Sequence, residues 1–254
     1  MANPNNGRFV WHECLVKEPK AAIAFYTEVV GWKTEPFKEE YIMWVGSQGP
    51  LGGVMRLPEE AEKMGAPPHW MGHVQVESVD ETCAKAKKLG GQVFHGPEDI
   101  PQVGRFAVIG DPQGAAISVF KPQNAMTPHD VSKEGEVCWS ELTTSDSVAA
   151  WKFYSELFGW KIQQEMEMGP MGTYRVFGIG ETGLGGMMTA PKGHQMPPMW
   201  LYYFETSNLD SAIKRATSKG AKLLNGPMDV PGGRIGQLMD PQGVMFALHQ
   251  IAKK

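Results

Sequence analysis

The stretch Phe25-Tyr26-Thr27-Glu28-Val29-Val30-Gly31-Trp32-Lys33 returns later in the chain as Phe153-Tyr154-Ser155-Glu156-Leu157-Phe158-Gly159-Trp160-Lys161. Working outward from it, the register holds. Trp11-His12-Glu13 matches Trp139-Ser140-Glu141, and Leu51-Gly52-Gly53-Val54-Met55 matches Leu184-Gly185-Gly186-Met187-Met188. Asp111-Pro112-Gln113-Gly114 matches Asp240-Pro241-Gln242-Gly243. Self-similarity kept over a whole domain is the signature of a duplication. The 254 residues divide into two domains of ordinary size, 8–121 and 135–252. Between them, residues 122–134 are polar, punctuated by Pro122 and Pro128, and read as a linker.

Each copy divides again into a strand, a capped helix and three short strands, so the chain reads as α+β with four βαβββ modules. Helix boundaries are legible from their punctuation. Pro19 and Gly31 bracket the first helix, and Ser78 with Glu81 forms a capping box for the second, which Gly90 closes. Ser145 and Gly159 are expected to bracket the third, and Asn208 and Gly220 the fourth. The spacing of Ala22, Phe25, Tyr26 and Val29, and of Ala149, Phe153 and Leu157, puts those residues on sheet-facing sides.

Bulk properties exclude several classes. A net charge of −4 with no Lys/Arg run offers no footprint for a phosphate backbone, so nucleic acid is not an expected partner. No apolar run is long enough to span a bilayer, and the opening residues Met1-Ala2-Asn3-Pro4 lack an apolar core, so a cytoplasmic protein without membrane contact is expected. Cys14, Cys83 and Cys138 form no C-x-x-C pair and read as reduced packing residues. Gly178-x-Gly180-x-x-Gly183 has dinucleotide-binding spacing but leads into Gly185-Gly186-Met187 instead of a helix, so no helix N-terminus faces a pyrophosphate.

The order Phe-Tyr…Gly-Trp, Gly-Gly, Asp-Pro-Gln-Gly, appearing twice, resembles the vicinal oxygen chelate superfamily, the glyoxalase, bleomycin-resistance and extradiol-dioxygenase group. That resemblance implies two tandem glyoxalase-like domains whose sheets curl into cups. It also implies a divalent metal held by His, Gln or Glu on the first and last strands of each module. The corresponding positions here are Trp11, Arg56, Met71 and Ser118 in the first copy, and Trp139, Thr189, Leu201 and Ala247 in the second. Neither set has the donors that a hard or borderline cation needs, so no metal is expected at those positions.

Strand side chains alternate faces, so the residues two along also point inward: Glu13, His73, Phe120, Glu141, Tyr203 and His249. Glu13 and Glu141 are the candidate catalytic carboxylates. Trp11, His73, Phe120, Trp139, Tyr203 and His249 are the candidate ligand-binding side chains. The same residues offer a displaced metal site, as Glu13 with His73 and Glu141 with His249. If modules pair across the copies, the sets become Glu13 with Tyr203 and His249, and His73 with Glu141. Arg105, Phe106 and Arg234 are candidates for an anionic ligand, and the methionines between Met166 and Met199 for an irregular apolar one.

The leading expectation is therefore a protein that sequesters a small apolar or aromatic ligand, with no cofactor and self-sufficient as a monomer. The alternative is a glyoxalase-like lyase or isomerase, or a dioxygenase, working through a displaced metal or a carboxylate base. A third reading makes the fold a scaffold for protein interaction.

Overall fold

A computed structural model describes residues 5–38, 40–191, 193 and 196–252. Met1–Pro4, read above as lacking an apolar leader core, lie outside the described residues. The first module is β1 (Phe9–Val16), α1 (Pro19–Val29), β2 (Lys33–Lys38), β3 (Tyr41–Gly46) and β4 (Gly49–Arg56), followed by a short helix α2 (Glu59–Lys63). The second is β5 (His69–Gln75), α3 (Val79–Lys88), β6 (Gln92–Ile100), β7 (Gly104–Gly110) and β8 (Ala116–Pro122). The third is β9 (Val137–Thr144), α4 (Ser147–Phe158), β10 (Lys161–Glu167), β11 (Thr173–Ile179) and β12 (Thr182–Thr189). The fourth is β13 (Met199–Glu205), α5 (Leu209–Ser218), β14 (Lys222–Val230), β15 (Gly233–Met239) and β16 (Met245–Ile251).

The strands form two mixed eight-stranded sheets of identical connectivity, β2-β3-β4-β1-β5-β8-β7-β6 and β10-β11-β12-β9-β13-β16-β15-β14. Helix ends follow the chemistry of their caps. The Ser78 hydroxyl accepts the Glu81 N–H, the Asn208 side chain accepts the Ser211 N–H, and Gly90, Gly159 and Gly220 take the positive φ that stops α3, α4 and α5. The third helix corrects the expectation. Asp146, not Ser145, is the N-cap, its carboxylate accepting the N–H groups of Val148 and Ala149. A single oxygen of this charged carboxylate, Oδ1, accepts both N–H groups, and a charged acceptor makes the stronger cap. The shift also moves the buried stripe from Ala149, which is half-buried, to Ala150, Phe153, Tyr154 and Leu157. The glycine-rich segment around Gly178 and Gly180 is the β11–β12 hairpin.

The chain condenses into two compact units that do not coincide with the two copies. One comprises residues 1–10, 72–128 and 140–200, the other residues 11–71, 129–139 and 201–254. The second module thus packs with the third, and the first with the fourth.

In the second unit the core is built around Tyr26. Its ring meets Trp32, Trp44, Trp70, Phe204 and Phe246, with centroids 5.2–6.4 Å away. Its hydroxyl donates to Asp240 Oδ2 (3.1 Å) and accepts from Trp70 Nε1 (3.1 Å). In the first unit Tyr154 plays the same part, against Trp160 and Trp200, with its hydroxyl engaging Asp111. Each copy's Phe-Tyr helix therefore meets the other copy's Asp-Pro-Gln-Gly turn. There Asp111 accepts the N–H groups of Gln113 and Ala115, and Asp240 those of Gln242 and Val244. Among the described residues no helix is long and apolar enough to cross a membrane.

Candidate functional site

The two faces of the strands differ in kind. Even-numbered residues of β5, such as Trp70, turn to the helices and the aromatic core. Trp11 and Glu13 of β1 share the face that carries a polar cluster. On β1, Glu13 is level with Gly53 of β4, which is level with Met43 of β3. Gly53 leaves a gap that Tyr41 fills: a Cβ built there would lie 2.2 Å from the phenol oxygen. The phenol donates to Glu13 Oε1 (2.8 Å) and accepts from Trp11 Nε1 (2.7 Å). Burial, then the Glu13 charge, hold the Tyr41 phenol well above its usual pKa, so it remains a proton donor to the carboxylate. His69 also stands near. Burial lowers its imidazole pKa, and its Nδ1 lies 2.7 Å from the Pro67 carbonyl oxygen.

The duplicate copies this device. Tyr174 donates to Glu141 Oε2 (2.8 Å), and its oxygen fills the space that a Cβ on Gly186 would occupy, 2.0 Å away. The sequence reading named both carboxylates but neither of the tyrosines that bond them nor the glycines that admit those tyrosines. The signal was present, because Tyr41 and Tyr174 stand at matching places ahead of Gly52-Gly53 and Gly185-Gly186.

In the second module His73 and Phe120 are both buried, in an edge-to-face contact at 6.3 Å. In the fourth, Tyr203 is buried, accepts from Gln237 Nε2 (2.7 Å), and belongs to an apolar cluster with Leu201 and Ala247 against which Trp139 packs. His249, set beside Glu141 in one displaced metal set, is partnered by a different carboxylate. Glu205, level with it on β13, takes its Nδ1 at 2.5 Å. Cys138, read from sequence as a reduced packing residue, stands beside them because the segment leading into β9 pairs with Glu205 through Gly135 and Glu136. Burial, then Glu205, hold the Cys138 thiol well above its usual pKa.

The metal positions implied by the resemblance do not fit a metal. The Trp11 N–H is a donor only, Met71 is a weak thioether, and the Ser118 hydroxyl donates to the Ala107 carbonyl. In the second copy Leu201 and Ala247 carry no donor atom, and the Thr189 hydroxyl is bonded to Ser147. Two further expectations are corrected. Arg105 is held by Asp80 and Asp99, and Arg234 by Asp210 and Asp229, so neither guanidinium is open to an anionic ligand. Asp80 and Asp210 sit in the first turns of α3 and α5, where a carboxylate also favours the helix dipole. Of the methionines set aside for an irregular ligand, Met187 is core, whereas Met168, Met171 and Met196 are exposed.

The site can be set beside known proteins. A family model described as "Glyoxalase/Bleomycin resistance protein/Dioxygenase superfamily" matches residues 8–119 and again 137–248. The chain is 30% identical over 244 residues to the "Putative glyoxylase CFP32" of Mycobacterium bovis, covering 94% of this chain and 92% of that one. It is 26% identical over 260 residues to the "Anthracycline biosynthesis protein DnrV" of Streptomyces peucetius, covering 96% and 94%. Among solved structures, it resembles in fold the Mn(II)-bound glyoxalase from Novosphingobium aromaticivorans, with a TM-score of 0.66 at 16% identity over 96% of this chain and 81% of that one. It likewise resembles homoprotocatechuate 2,3-dioxygenase from Arthrobacter globiformis, with a TM-score of 0.68 at 16% identity over 97% and 80%. With the family model covering nearly all of both copies, the chain belongs to the Glyoxalase/Bleomycin resistance protein/Dioxygenase superfamily.

Proposed function

We propose that this protein binds a small apolar or aromatic molecule on the polar faces of its sheets, anchoring a hydroxyl group of the ligand on Glu13 or Glu141, with no metal at the family's usual positions. The observation that carries this reading is the repeated carboxylate–phenol pair, Glu13 with Tyr41 and Glu141 with Tyr174, on faces whose metal positions hold Trp, Met, Leu and Ala. A carboxylate already held by one phenol is preorganised to accept a second hydroxyl at the same charge, and charge-assisted hydrogen bonds are the stronger kind. Trp11 and Trp139, which are half-buried, supply the aromatic surfaces that a flat ligand stacks on. One relative's name refers to anthracycline biosynthesis, and anthracyclines are flat, polycyclic and hydroxylated.

The test is a thermal-shift screen of hydroxylated polycyclic quinones, anthracyclines included. A ligand at 100 times its dissociation constant should stabilise the fold by about 2.7 kcal/mol. No shift with any member of the panel would leave the scaffold reading standing. A second reading, a metal-free catalyst with Glu13 or Glu141 as base, is favoured by the buried phenol that keeps its proton beside Glu13. It requires turnover that E13Q or E141Q abolishes with binding retained.

A further inference from the structure

Cys138, Glu205 and His249 come together inside one compact unit, from the strands β9, β13 and β16. Glu205 and His249 are level on parallel neighbours. Cys138 Sγ, a carboxylate oxygen of Glu205 and a ring nitrogen of His249 all lie within 4.8 Å of one another. Glu205 is only 4% exposed, and its side chain meets the His249 imidazole, the Ile251 N–H (2.8 Å) and the Cys138 thiol. A carboxylate this deep requires a positive partner or dense hydrogen bonding. Gly233 leaves room for the ring, because a Cβ there would lie 2.7 Å from His249 Nε2.

Sulfur, nitrogen and oxygen donors at about 2.0–2.3 Å from a common centre are the coordination shell of zinc, and such a shell puts the donors about 3–4 Å from each other. The three side chains stand within 4.8 Å of one another, with Glu205 and His249 at 2.5 Å, so a small separation of that pair opens the centre to an ion. The aligned positions of the first copy are Val10, Gln75 and Phe120, which hold no such set. These positions are also not the family's metal positions, which in this copy are Trp139, Thr189, Leu201 and Ala247.

We propose that Cys138, Glu205 and His249 form a binding site for a borderline divalent cation of the zinc type, with a fourth coordination position left to water or another ligand. On binding, the Cys138 S–H bond breaks and its proton goes to solvent, the thiolate electron pair bonds the ion, and the proton held between His249 Nδ1 and Glu205 Oε2 moves to Nε2 or to solvent, which frees the neutral ring and the carboxylate to coordinate. The inference is independent of the function proposed above, because no organic ligand enters its test.

The experiment strips the full chain with chelator and titrates it with cobalt(II), then with zinc(II). The expected result is one cobalt per chain with a thiolate-to-cobalt charge-transfer band in the near ultraviolet, erased by zinc. C138S should lose the band. H249Q and E205Q should weaken affinity by at least about a hundredfold. C83S should keep the band, and circular dichroism shows which variants are folded; if C138S does not fold, H249Q alone decides. Absence of the band in the wild-type chain, its persistence in folded C138S, or unchanged affinity in folded H249Q would overturn the proposal.

Discussion

The two copies agree on the helix-facing side of their sheets and part company at other strand positions. Facing the helices, Phe25-Tyr26, Trp32 and the Asp111 turn have their counterparts in Phe153-Tyr154, Trp160 and the Asp240 turn, with the same contacts. Elsewhere in the strands the copies differ, Val10, Gln75 and Phe120 of the first being aligned with Cys138, Glu205 and His249 of the second. The Glu–Tyr–Gly device is the polar element that both retain. Packing is therefore what duplication preserved, because each copy completes the other's core and neither can change alone. The remaining strand positions were free to diverge one copy at a time.

The largest effect that could break this comparison is loss of a central tyrosine. Y26A should cost about 3–5 kcal/mol in urea unfolding, and Y154A about the same. A core shared within each copy, and not across them, would show instead in a milder variant. Y26F removes the hydroxyl from Asp240 and should cost about 1–3 kcal/mol. By hydrogen exchange it should speed the amides of Gln242 and Val244 while leaving those of Gln113 and Ala115 unchanged.

Next come the two glycines under the phenols. G53A and G186A place a methyl group where Tyr41 and Tyr174 have their oxygens and should each cost about 1–3 kcal/mol. Equal costs would mean that the device is equally built in both copies; an unaffected G186A would show that Tyr174 moves aside freely.

Asp111 and Asp240 supply a pH dependence of known sign. Burial raises both carboxyl pKa values, against turn amides and tyrosine hydroxyls that lower them. A group whose folded pKa exceeds its unfolded one stabilises fully below the unfolded value, and that contribution is lost as pH rises through the folded value. Stability measured by urea unfolding should therefore decline from the ordinary carboxylate range upward, and the double variant D111N/D240N should flatten that decline. The smallest effect belongs to the exposed pairs of Arg105 and Arg234. R105A and R234A should shift melting only slightly at low salt and not at all at high salt.

Most of the scaffold was legible because its signals are local. A proline at a helix start, a glycine at its end and an Asx or serine cap act within one turn, and repetition doubled each signal. Ser145 failed because Asp146 competes for the same role one residue later, a choice that spacing cannot make. The exchange of partners between copies was not legible at all. Tyr26 and Tyr154, like Asp111 and Asp240, are chemically identical pairs, so sequence leaves both pairings open. Strand parity named Glu13 and Glu141, but Tyr41 and Tyr174 lie on other strands and enter through register; Glu205 was within reach of the same parity, two residues along β13 from Tyr203. Cys138 enters through the irregular pairing of Gly135 and Glu136 with Glu205, which no periodicity anticipates.

The central claim is ligand binding by carboxylate–phenol anchors without a metal at the family's positions. Calorimetric titration of the intact chain with the best quinone from the screen, in excess chelator, tests it most directly. The account predicts saturable binding that chelator leaves unchanged and that E13Q or E141Q weakens about tenfold, a loss of about 1.4 kcal/mol. Binding that vanishes with chelator, or that both variants leave intact, would contradict it.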